Sequence, residues 1–145
     1  MRVLVSACLL GVCCRYDGQS KACPAVLELL KAHELIPVCP EQLGGLPTPR
    51  PPAEIQGNRV INRDGTDVTA QYQKGAEETT RLYQVLGCDC AVLKARSPSC
   101  GCGEIYDGSF SGALVPGDGI TAQALKRRGV RVLTEETLTT FDDAE

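Results

Sequence analysis

The amino-acid sequence predicts an α/β fold: a single Rossmann-like domain over residues 1–145 with a mostly parallel sheet, flanking helices and a small β-hairpin insertion. Three observations predict this class. Short apolar, β-branched runs alternate with amphipathic helical patterns, which is typical of βαβ units with right-handed crossovers. Gly, Pro and Asp-Gly turn signals separate these runs. A chain of 145 residues is also long enough to bury one core without disulfide bonds.

The first half of the predicted sheet comes from two strands joined by a helix. Residues 2–7 are a short β-branched run and form the first strand. Pro24 suits the first position of a helix that we expect to run to about His33. Residues 35–38 form the second strand, so the three elements together make a βαβ unit.

The middle of the chain holds the insertion and the longest helix. Residues 40–53 are so rich in Pro and Gly that we predict no regular structure there, but a stiff path that suits a binding loop. Residues 54–62 predict a small hairpin that turns at Gly57-Asn58. Asp67 is expected to cap a helix over about 68–86, whose apolar residues form one core-facing stripe.

The last third of the chain contains two further strands. Ala91–Leu93 is a short apolar run bounded by turn residues, as a buried central strand is. A Gly- and Ser-rich loop follows over residues 103–119. We then expect a helix over residues 121–128, a last strand over 130–133 and a tail helix that begins near Thr134.

Composition and charge argue against several kinds of partner. The formal net charge of −3 and the pI near 5.2 oppose strong non-specific binding to nucleic acid or membranes. Two Phe, four Tyr and no Trp are too few for a platform that stacks single strands. Leu4 to Cys8 resembles a lipoprotein cleavage site, but too few residues precede it for a signal peptide. We therefore expect a cytoplasmic protein with no membrane segment.

Nine cysteines are the main chemical feature of the chain. The odd number argues against complete disulfide pairing, so we predict reduced thiols, some of which bind metal. The alternative is that most of them are small buried hydrophobic residues. Cys8, Cys39 and Cys100 each follow a different predicted strand. Because the carboxyl ends of parallel strands lie along the edge where α/β proteins bind ligands, these three thiols can converge.

The cysteine pattern favours an iron–sulfur cluster over zinc. A structural zinc site has four ligands in C-x₂₋₄-C pairs, a spacing that the three adjacent cysteine pairs of this chain do not show. Three soft thiolates instead suit a cluster in which one iron has no protein ligand. A ligand role is left open for Cys13 and Cys14, and Cys102 is expected near the site. No metal-binding role is expected for Cys23, Cys88, Cys90, His33 and the basic cluster Lys126-Arg127-Arg128.

Three segments of the chain form long motifs. The first reads Val5-Ser6-Ala7-Cys8-Leu9-Leu10-Gly11 and continues with Cys14-Arg15-Tyr16-Asp17-Gly18. The second covers residues 38–50, from Val-Cys-Pro-Glu to Thr-Pro-Arg, and the third covers residues 93–101. Over nearly the whole chain they resemble the signatures of the family long catalogued as domain of unknown function 523, which includes the thiouracil desulfidases. Cys13 is a departure, since the family usually has Asn at that position.

The resemblance implies a 4Fe–4S cluster held by three cysteines, which match Cys8, Cys39 and Cys100. It implies that the iron without a protein ligand takes sulfur from a thiocarbonyl, so that thiouracil becomes uracil and sulfide by a hydrolytic, non-redox reaction. The family's catalytic Glu and Ser match Glu41 and Ser97. A carboxylate can activate water and move a proton, and a hydroxyl can stabilise developing charge. From the residues alone, Glu41 is equally well a loop cap and Ser97 a turn hydroxyl.

The form of the substrate is left open at this point. The candidates are a thiolated free base, a nucleoside or nucleotide, and a thiolated tRNA, which the negative net charge does not support. Arg50 and Arg96 could anchor a ribose phosphate or pair with carboxylates, and pairing is the expectation for Arg96. Two other functions compete: a zinc-binding or persulfide-handling protein without base desulfuration, and an interaction module whose cysteines are merely buried.

Overall fold

The computed structural model describes residues 1–141 of the chain. At its centre four strands form one parallel sheet, and two antiparallel hairpins lie beside it. Within the described residues the strands are β1 (Arg2–Ser6), β2 (Glu34–Val38), β3 (Ala53–Gln56), β4 (Arg59–Asn62), β5 (Cys90–Leu93), β6 (Glu104–Tyr106), β7 (Leu114–Pro116) and β8 (Val132–Thr134). The α-helices there are α1 (Pro24–Glu28), α2 (Pro40–Leu43), α3 (Thr69–Val85) and α4 (Ile120–Arg127). Short 3₁₀ helices cover Ala7–Leu10, Leu29–Lys31 and Leu138–Thr140.

The parallel sheet has the strand order β2-β1-β5-β8. Val3 of β1 lies opposite Leu35 of β2 on one side and Cys90 of β5 on the other, and Ala91 of β5 lies opposite Val132 of β8. The middle residues of β1 and β5 are fully buried. Burial on both faces explains why these strands read as uninterrupted apolar runs. The predicted α/β class with a parallel sheet and flanking helices is thereby confirmed.

Alternate residues of the central strands build two core layers, one on each face of the sheet. Val3 and Val5 of β1 belong to the layer that contains Val26 of α1. Leu4 belongs to the opposite layer, together with Leu125 of α4 and side chains of α3. Burial of each such aliphatic side chain stabilises the fold by roughly 1.5–3 kcal/mol. Helices thus cover the two faces of the sheet, and the carboxyl edge is left for a site.

Two hairpins flank this edge. β3 and β4 form the predicted hairpin, with Gly57 at φ 64° in its turn, and Val60 packs with Tyr72 of α3 in a third core layer. β6 and β7 form a second hairpin inside residues 103–119, which were predicted as a loop. Its strands have only three residues each. Strands that short do not give a recognisable period-two pattern.

The helices follow the prediction in the middle of the chain and depart from it near the start. α3 lies within the predicted range of 68–86, but its N-cap is Val68 and not the predicted Asp67. Asp67 lies one residue earlier, and its carboxylate accepts a hydrogen bond from the N–H of Thr69 at 2.9 Å. α1 ends at Glu28 and continues as a 3₁₀ turn instead of reaching His33. Within residues 1–141, no helix combines the length and apolar character that a membrane crossing requires.

A helical turn, α2, stands where the sequence predicted no regular structure. Cys39 is extended just before it, and Pro40 occupies the first helical position, which suits Pro. The turn packs backbone to backbone on α3. An added Cβ would lie 2.0 Å from the carbonyl oxygen of Gln71 if placed on Gly44, and 2.0 Å from that of Pro40 if placed on Gly75. Two glycines therefore allow a helix that the Pro/Gly content of the segment concealed.

The carboxyl-terminal elements also differ from their predicted bounds. β8 begins at Val132, two residues after the start of the strand predicted over 130–133. The predicted tail helix near Thr134 is replaced by a turn, since the hydroxyl of Thr137 accepts a hydrogen bond from the N–H of Thr134, and the hydroxyl of Thr134 accepts one from the N–H of Glu136. Such side-chain bonds compete with helix formation. The part of that prediction beyond residue 141 lies outside the described residues.

Candidate functional site

A cavity of about 350 Å³ opens at the carboxyl edge of the parallel sheet. This volume lies within the range of small-molecule sites. Residues that follow β1, β2 and β5 line it, together with parts of both hairpins. Three of the four tyrosines and one of the two phenylalanines belong to the lining: Tyr16, Tyr72, Tyr106 and Phe110.

Three of the predicted site residues are thiols that stand around this cavity. Cys8 lies in the 3₁₀ turn after β1, Cys39 directly precedes α2 at the end of β2, and Cys100 lies in the turn after β5. Cys8 and Cys100 are buried, and Cys39 is half-buried. The strand order places β2, β1 and β5 side by side, which is why residues so distant in the sequence meet here.

A fourth thiol, Cys14, lines the same cavity and is only 2% exposed. It is hydrogen-bonded to the thiols of Cys39 and Cys8, and the Cys39 Sγ lies 3.7 Å from its carbonyl oxygen. Arg50 Nη2 donates to that same oxygen at 2.9 Å. Sequence reasoning left the role of Cys14 open because it lies in a loop, whose path no periodicity reveals.

Three of the cavity thiols, Cys14, Cys39 and Cys100, have a raised pKa and are therefore neutral. Burial raises the pKa of Cys100 to about 12, although a hydrogen bond with Ser6 opposes it. The hydrogen bond with Cys14 and then burial raise the pKa of Cys39. For Cys14, the hydrogen bond with Cys39 lowers the pKa, but the bond with Cys8 and burial outweigh it, so the net change is upward. Ligation of a metal requires the thiolate, so a neutral Cys39 or Cys100 releases its proton when it binds one.

The four cavity thiols line the same cavity but do not converge on one point. Among residues 1–141, no three His, Cys, Asp or Glu side chains lie close enough together to hold a single metal ion. In a 4Fe–4S cluster each thiolate binds a different iron, so its ligands surround a volume. Thiolates are soft metal ligands, which bind iron–sulfur clusters in preference to hard cations.

Glu41 projects from α2 into the cavity and is held by two donors. The Oε1 atom of Glu41 accepts from Tyr72 Oη at 2.8 Å and from Arg50 Nε at 3.0 Å. The Arg50 side chain is only 4% exposed and also donates to the carbonyl of Pro47 and the hydroxyl of Thr48. Arg50 is therefore bound to Glu41, not available for a phosphate. Both bonds end on Oε1, so Oε2 is left for a ligand or water.

Ser97 has a structural role in the turn that carries Cys100. Its Oγ accepts from the N–H of Cys100 at 2.8 Å and from the N–H of Ser99 at 3.1 Å. The turn is tight, because an added Cβ on Gly101 would lie 2.7 Å from the carbonyl oxygen of Ser97. Since the Ser97 Oγ acts as acceptor in both bonds, its proton can still be donated into the cavity that it lines.

A partly buried ion pair fixes the start of the same turn. Lys94 Nζ lies 2.9 Å from Glu135 Oε2, and Glu135 Oε1 accepts from the N–H of Ala95 at 2.7 Å. The N–H of Lys94 donates to Ser6 Oγ at 2.9 Å, which ties the end of β5 to the end of β1. Sequence reasoning did not single out Lys94 or Glu135, since nothing in their local sequence links two residues so far apart in the chain.

Two arginines stand at the mouth of the cavity against aromatic rings. The guanidinium of Arg15 lies 5.7 Å from the ring centroid of Tyr16, and that of Arg63 lies 5.6 Å from that of Phe110. Arg96 is outside the lining and pairs with Glu136 at 2.5 Å, which confirms the expectation of a carboxylate partner.

Five cysteines, His33 and the basic cluster at the end of α4 are absent from the cavity lining. His33 contacts the amino terminus at 3.0 Å and packs edge-on against Phe141, and Lys126 pairs with Asp118 at 3.0 Å. Cys102, which the sequence placed near the site, does not line the cavity, because its thiol donates to the carbonyl of Val132 at 3.6 Å. The same lining contains none of Cys13, Cys23, Cys88 and Cys90.

Comparisons with known proteins agree on one family. The model of the 2-thiouracil desulfurase family matches residues 3–137. The uncharacterized protein YbbK of Bacillus subtilis (strain 168) is 40% identical over 146 aligned positions, which cover 94% of this chain and 97% of YbbK. The solved structure of the 4Fe–4S-dependent thiouracil desulfidase TudS (DUF523Vcz) is 45% identical, with a TM-score of 0.90 over 99% of this chain and 96% of that one.

Proposed function

The chain belongs to the 2-thiouracil desulfurase family, and from that premise we propose that it is a desulfidase that converts the C=S group of thiouracil-type bases to C=O. One observation carries the proposal. The three strand-end thiols, Glu41 and Ser97 all line the same cavity of about 350 Å³. Soft ligands, an acid–base group and a hydrogen-bond donor thus lie at one place, and sulfur removal from a thiocarbonyl needs all three.

The residues present fit a 4Fe–4S cluster. Cys8, Cys39 and Cys100 would hold it, since they follow three neighbouring strands and line the same cavity. When bound, the cluster would supply an iron free of protein ligands, to which thiocarbonyl sulfur has affinity. Arg50 holds the backbone of Cys14 and the side chain of Glu41 in place, so the ligand region and the acid–base group are fixed by the same guanidinium.

The reaction that we propose is hydrolytic and needs no electron donor. Thiocarbonyl and water give carbonyl and hydrogen sulfide, so atoms and charge balance without redox change. Glu41 would take a proton from the attacking water through Oε2, while Tyr72 and Arg50 hold Oε1. Ser97 would donate its hydroxyl proton to the heteroatom of the base on which negative charge develops. These roles make Glu41 and Ser97 catalytic residues, and Tyr72 and Arg50 positioning residues.

The proposed substrate is a small thiolated base or its nucleoside or nucleotide. The cavity volume suits a pyrimidine ring, and the exposed mouth leaves room for a substituent. The net charge of −3 gives no support to binding of a whole tRNA. We further propose that residues 1–145 act as one domain in the reducing cytoplasm, where the buried thiols stay available for a cluster.

The decisive experiment is anaerobic purification followed by three measurements on one sample. Iron and acid-labile sulfide are counted per chain, the absorbance is recorded at about 400 nm, where thiolate-to-iron charge transfer is expected, and sulfide release from thiouracil is followed. We expect about four irons per chain and turnover that scales with iron content. A colourless, zinc-loaded protein would support the zinc or persulfide alternative. Full iron content without sulfide release from any thiolated base, nucleoside or nucleotide would overturn the proposal.

A further inference from the structure

The loop that joins β6 to β7, residues 107–113, reaches over the cavity. Phe110 lies at its tip, is half-buried and lines the cavity wall. Its φ of 57° is in the left-handed region, which a bulky side chain rarely adopts. Such a conformation is strained and persists only where the surroundings enforce it.

Glu54 of β3 enforces this conformation with a buried carboxylate. Its Oε1 accepts from the N–H of Gly108 at 2.9 Å and from the N–H of Phe110 at 3.1 Å. The residue is only 9% exposed, and no Lys, Arg or His among residues 1–141 forms an ion pair with it. Burying an ionisable group without an ion partner is costly, and hydrogen bonds to both amides offset that cost.

Two further contacts press the loop against β3. Gln56 Nε2 donates to the carbonyl oxygen of Gly108 at 2.8 Å. An added Cβ on Gly108 would lie 2.7 Å from the carbonyl oxygen of Ile55, so the loop lies directly on the strand backbone. Gly108 also has a φ of 96°, which only glycine adopts readily. The loop is thus fixed in position by β3 on one side.

The Phe110 ring is held as well as its backbone. The guanidinium of Arg63 lies 5.6 Å from the ring centroid, within the range of a cation–π contact. Arg63 follows β4, and its N–H donates to the carbonyl of Pro52 at 2.8 Å. The hairpin of β3 and β4 therefore positions both the loop and the orientation of the ring.

We propose that Phe110 is the stacking wall for the pyrimidine ring and selects planar, conjugated rings, with Glu54 as its positioning residue. The inference rests on the proposed function, because it assigns the ring-binding part of the same cavity. Stacking of a base on an aromatic ring is tolerant of substituents on the base, and its loss weakens binding by about five- to a hundredfold. Phe110 takes no part in proton transfer.

The test compares two inhibitors, uracil and 5,6-dihydrouracil, which carry the same carbonyl and N–H groups. Uracil is planar and conjugated, whereas dihydrouracil is puckered and stacks poorly. Affinities are measured by calorimetry on cluster-loaded protein. We expect the wild type to bind uracil more tightly than dihydrouracil. Phe110→Ala should weaken uracil binding by about five- to a hundredfold and lose this preference. Phe110→Tyr should retain the preference. Leu114→Ala, an exposed apolar change on β7 outside the cavity lining, is the control.

The role of Glu54 is tested by amide hydrogen exchange and by the separation of KM from kcat. Glu54→Ala should speed exchange at the amides of Gly108 and Phe110 and raise KM for thiouracil, with kcat per cluster nearly unchanged. Glu104→Gln, an exposed carboxylate of β6, should change neither. Glu54→Gln, which keeps an acceptor oxygen, should show an intermediate effect.

Failure of this inference and failure of the proposed function have different signatures. An active wild type whose Phe110→Ala variant keeps its uracil affinity and its preference over dihydrouracil would overturn the stacking wall alone. A wild type that holds iron and binds uracil through Phe110, but releases no sulfide, would support the wall and overturn the reaction. Unchanged amide exchange in Glu54→Ala would remove Glu54 as the positioning residue.

Discussion

Glu41 uses one carboxylate oxygen for structure and leaves the other for chemistry, and the two uses can be separated. Glu41→Gln keeps an oxygen that accepts from Tyr72 and Arg50 but removes the base. Since general acid–base catalysis is worth about 10²–10⁴-fold, we expect kcat per intact cluster to fall by that factor with the cluster spectrum unchanged. Tyr72→Phe removes one hydrogen bond and should cost about tenfold or less. A Glu41→Gln variant that turns over at nearly the wild-type rate per cluster would leave the base to another group.

The four thiols of the cavity make a second prediction at the scale of single residues. Cys8→Ser, Cys39→Ser and Cys100→Ser should each lose most of the iron after anaerobic reconstitution, as counted by iron and sulfide analysis. Cys102→Ser is the matched control, since it lies two residues from Cys100 but outside the lining. Cys14→Ser should retain its iron, because three ligands are proposed. Loss of iron in Cys14→Ser would make Cys14 a ligand.

Residues at the ends of strands could be located from the sequence, and residues held by long-range contacts could not. The three strand-end cysteines follow from strand assignment alone, because parallel strands share an edge. Cys14, Tyr72 and Phe110 reach the cavity from a loop, the side of a helix and an unpredicted hairpin. Their local patterns are those of ordinary loop or core residues. Ser97 could be named only through a resemblance, and its hydrogen bonds give it a turn function as well.

At the scale of elements, one added methyl group at the contact between α2 and α3 should destabilise the fold. Gly75→Ala would place a Cβ 2.0 Å from the carbonyl oxygen of Pro40, so the two helices must move apart. Overpacking of this kind costs about 1–3 kcal/mol, more than the gain of about 1 kcal/mol in helix propensity. We expect a lower Tm by calorimetry, and a kcat per cluster that falls because Glu41 and Tyr72 separate.

Gln73→Ala is the control for that change, since Gln73 is an exposed position two residues earlier on the same helix. It should leave both Tm and kcat near wild type. A Gly75→Ala protein with the wild-type Tm would mean that the backbone contact between α2 and α3 is looser than the structure shows.

Elements with a clear period were predicted well, and elements made by close backbone contact were not. β1 and β5 are continuous apolar runs, and α3 repeats its apolar stripe over several helical turns. Tertiary packing then reinforces these patterns. α2 is a single turn that begins at a proline and depends on glycines in two elements. The hairpin of β6 and β7 is short, and its strand residues are mostly exposed, so no buried face marks it in the sequence.

At the scale of the molecule, the proposed cluster would join the ends of three neighbouring strands. A group that binds the folded state but not the unfolded one stabilises the protein by mass action. We expect anaerobic removal of iron by a chelator to lower the Tm by several degrees, with about 2–8 °C lost per kcal/mol at this chain length. Reconstitution should restore it. The Cys100→Ser variant should show the low Tm with or without iron, and a chelator effect of equal size in Cys100→Ser would point to iron bound elsewhere.

The aromatic lining of the cavity gives this protein an internal optical reporter. The chain has no tryptophan, and three of its four tyrosines line the cavity. Tyrosine emission therefore comes mainly from side chains next to the place where a strongly absorbing group would sit. Binding of the proposed cluster should quench the tyrosine fluorescence, and removal of the cluster should restore it. No added label is needed. The occupied fraction could then be followed in real time in the intact protein, through a property that the natural residue content already provides.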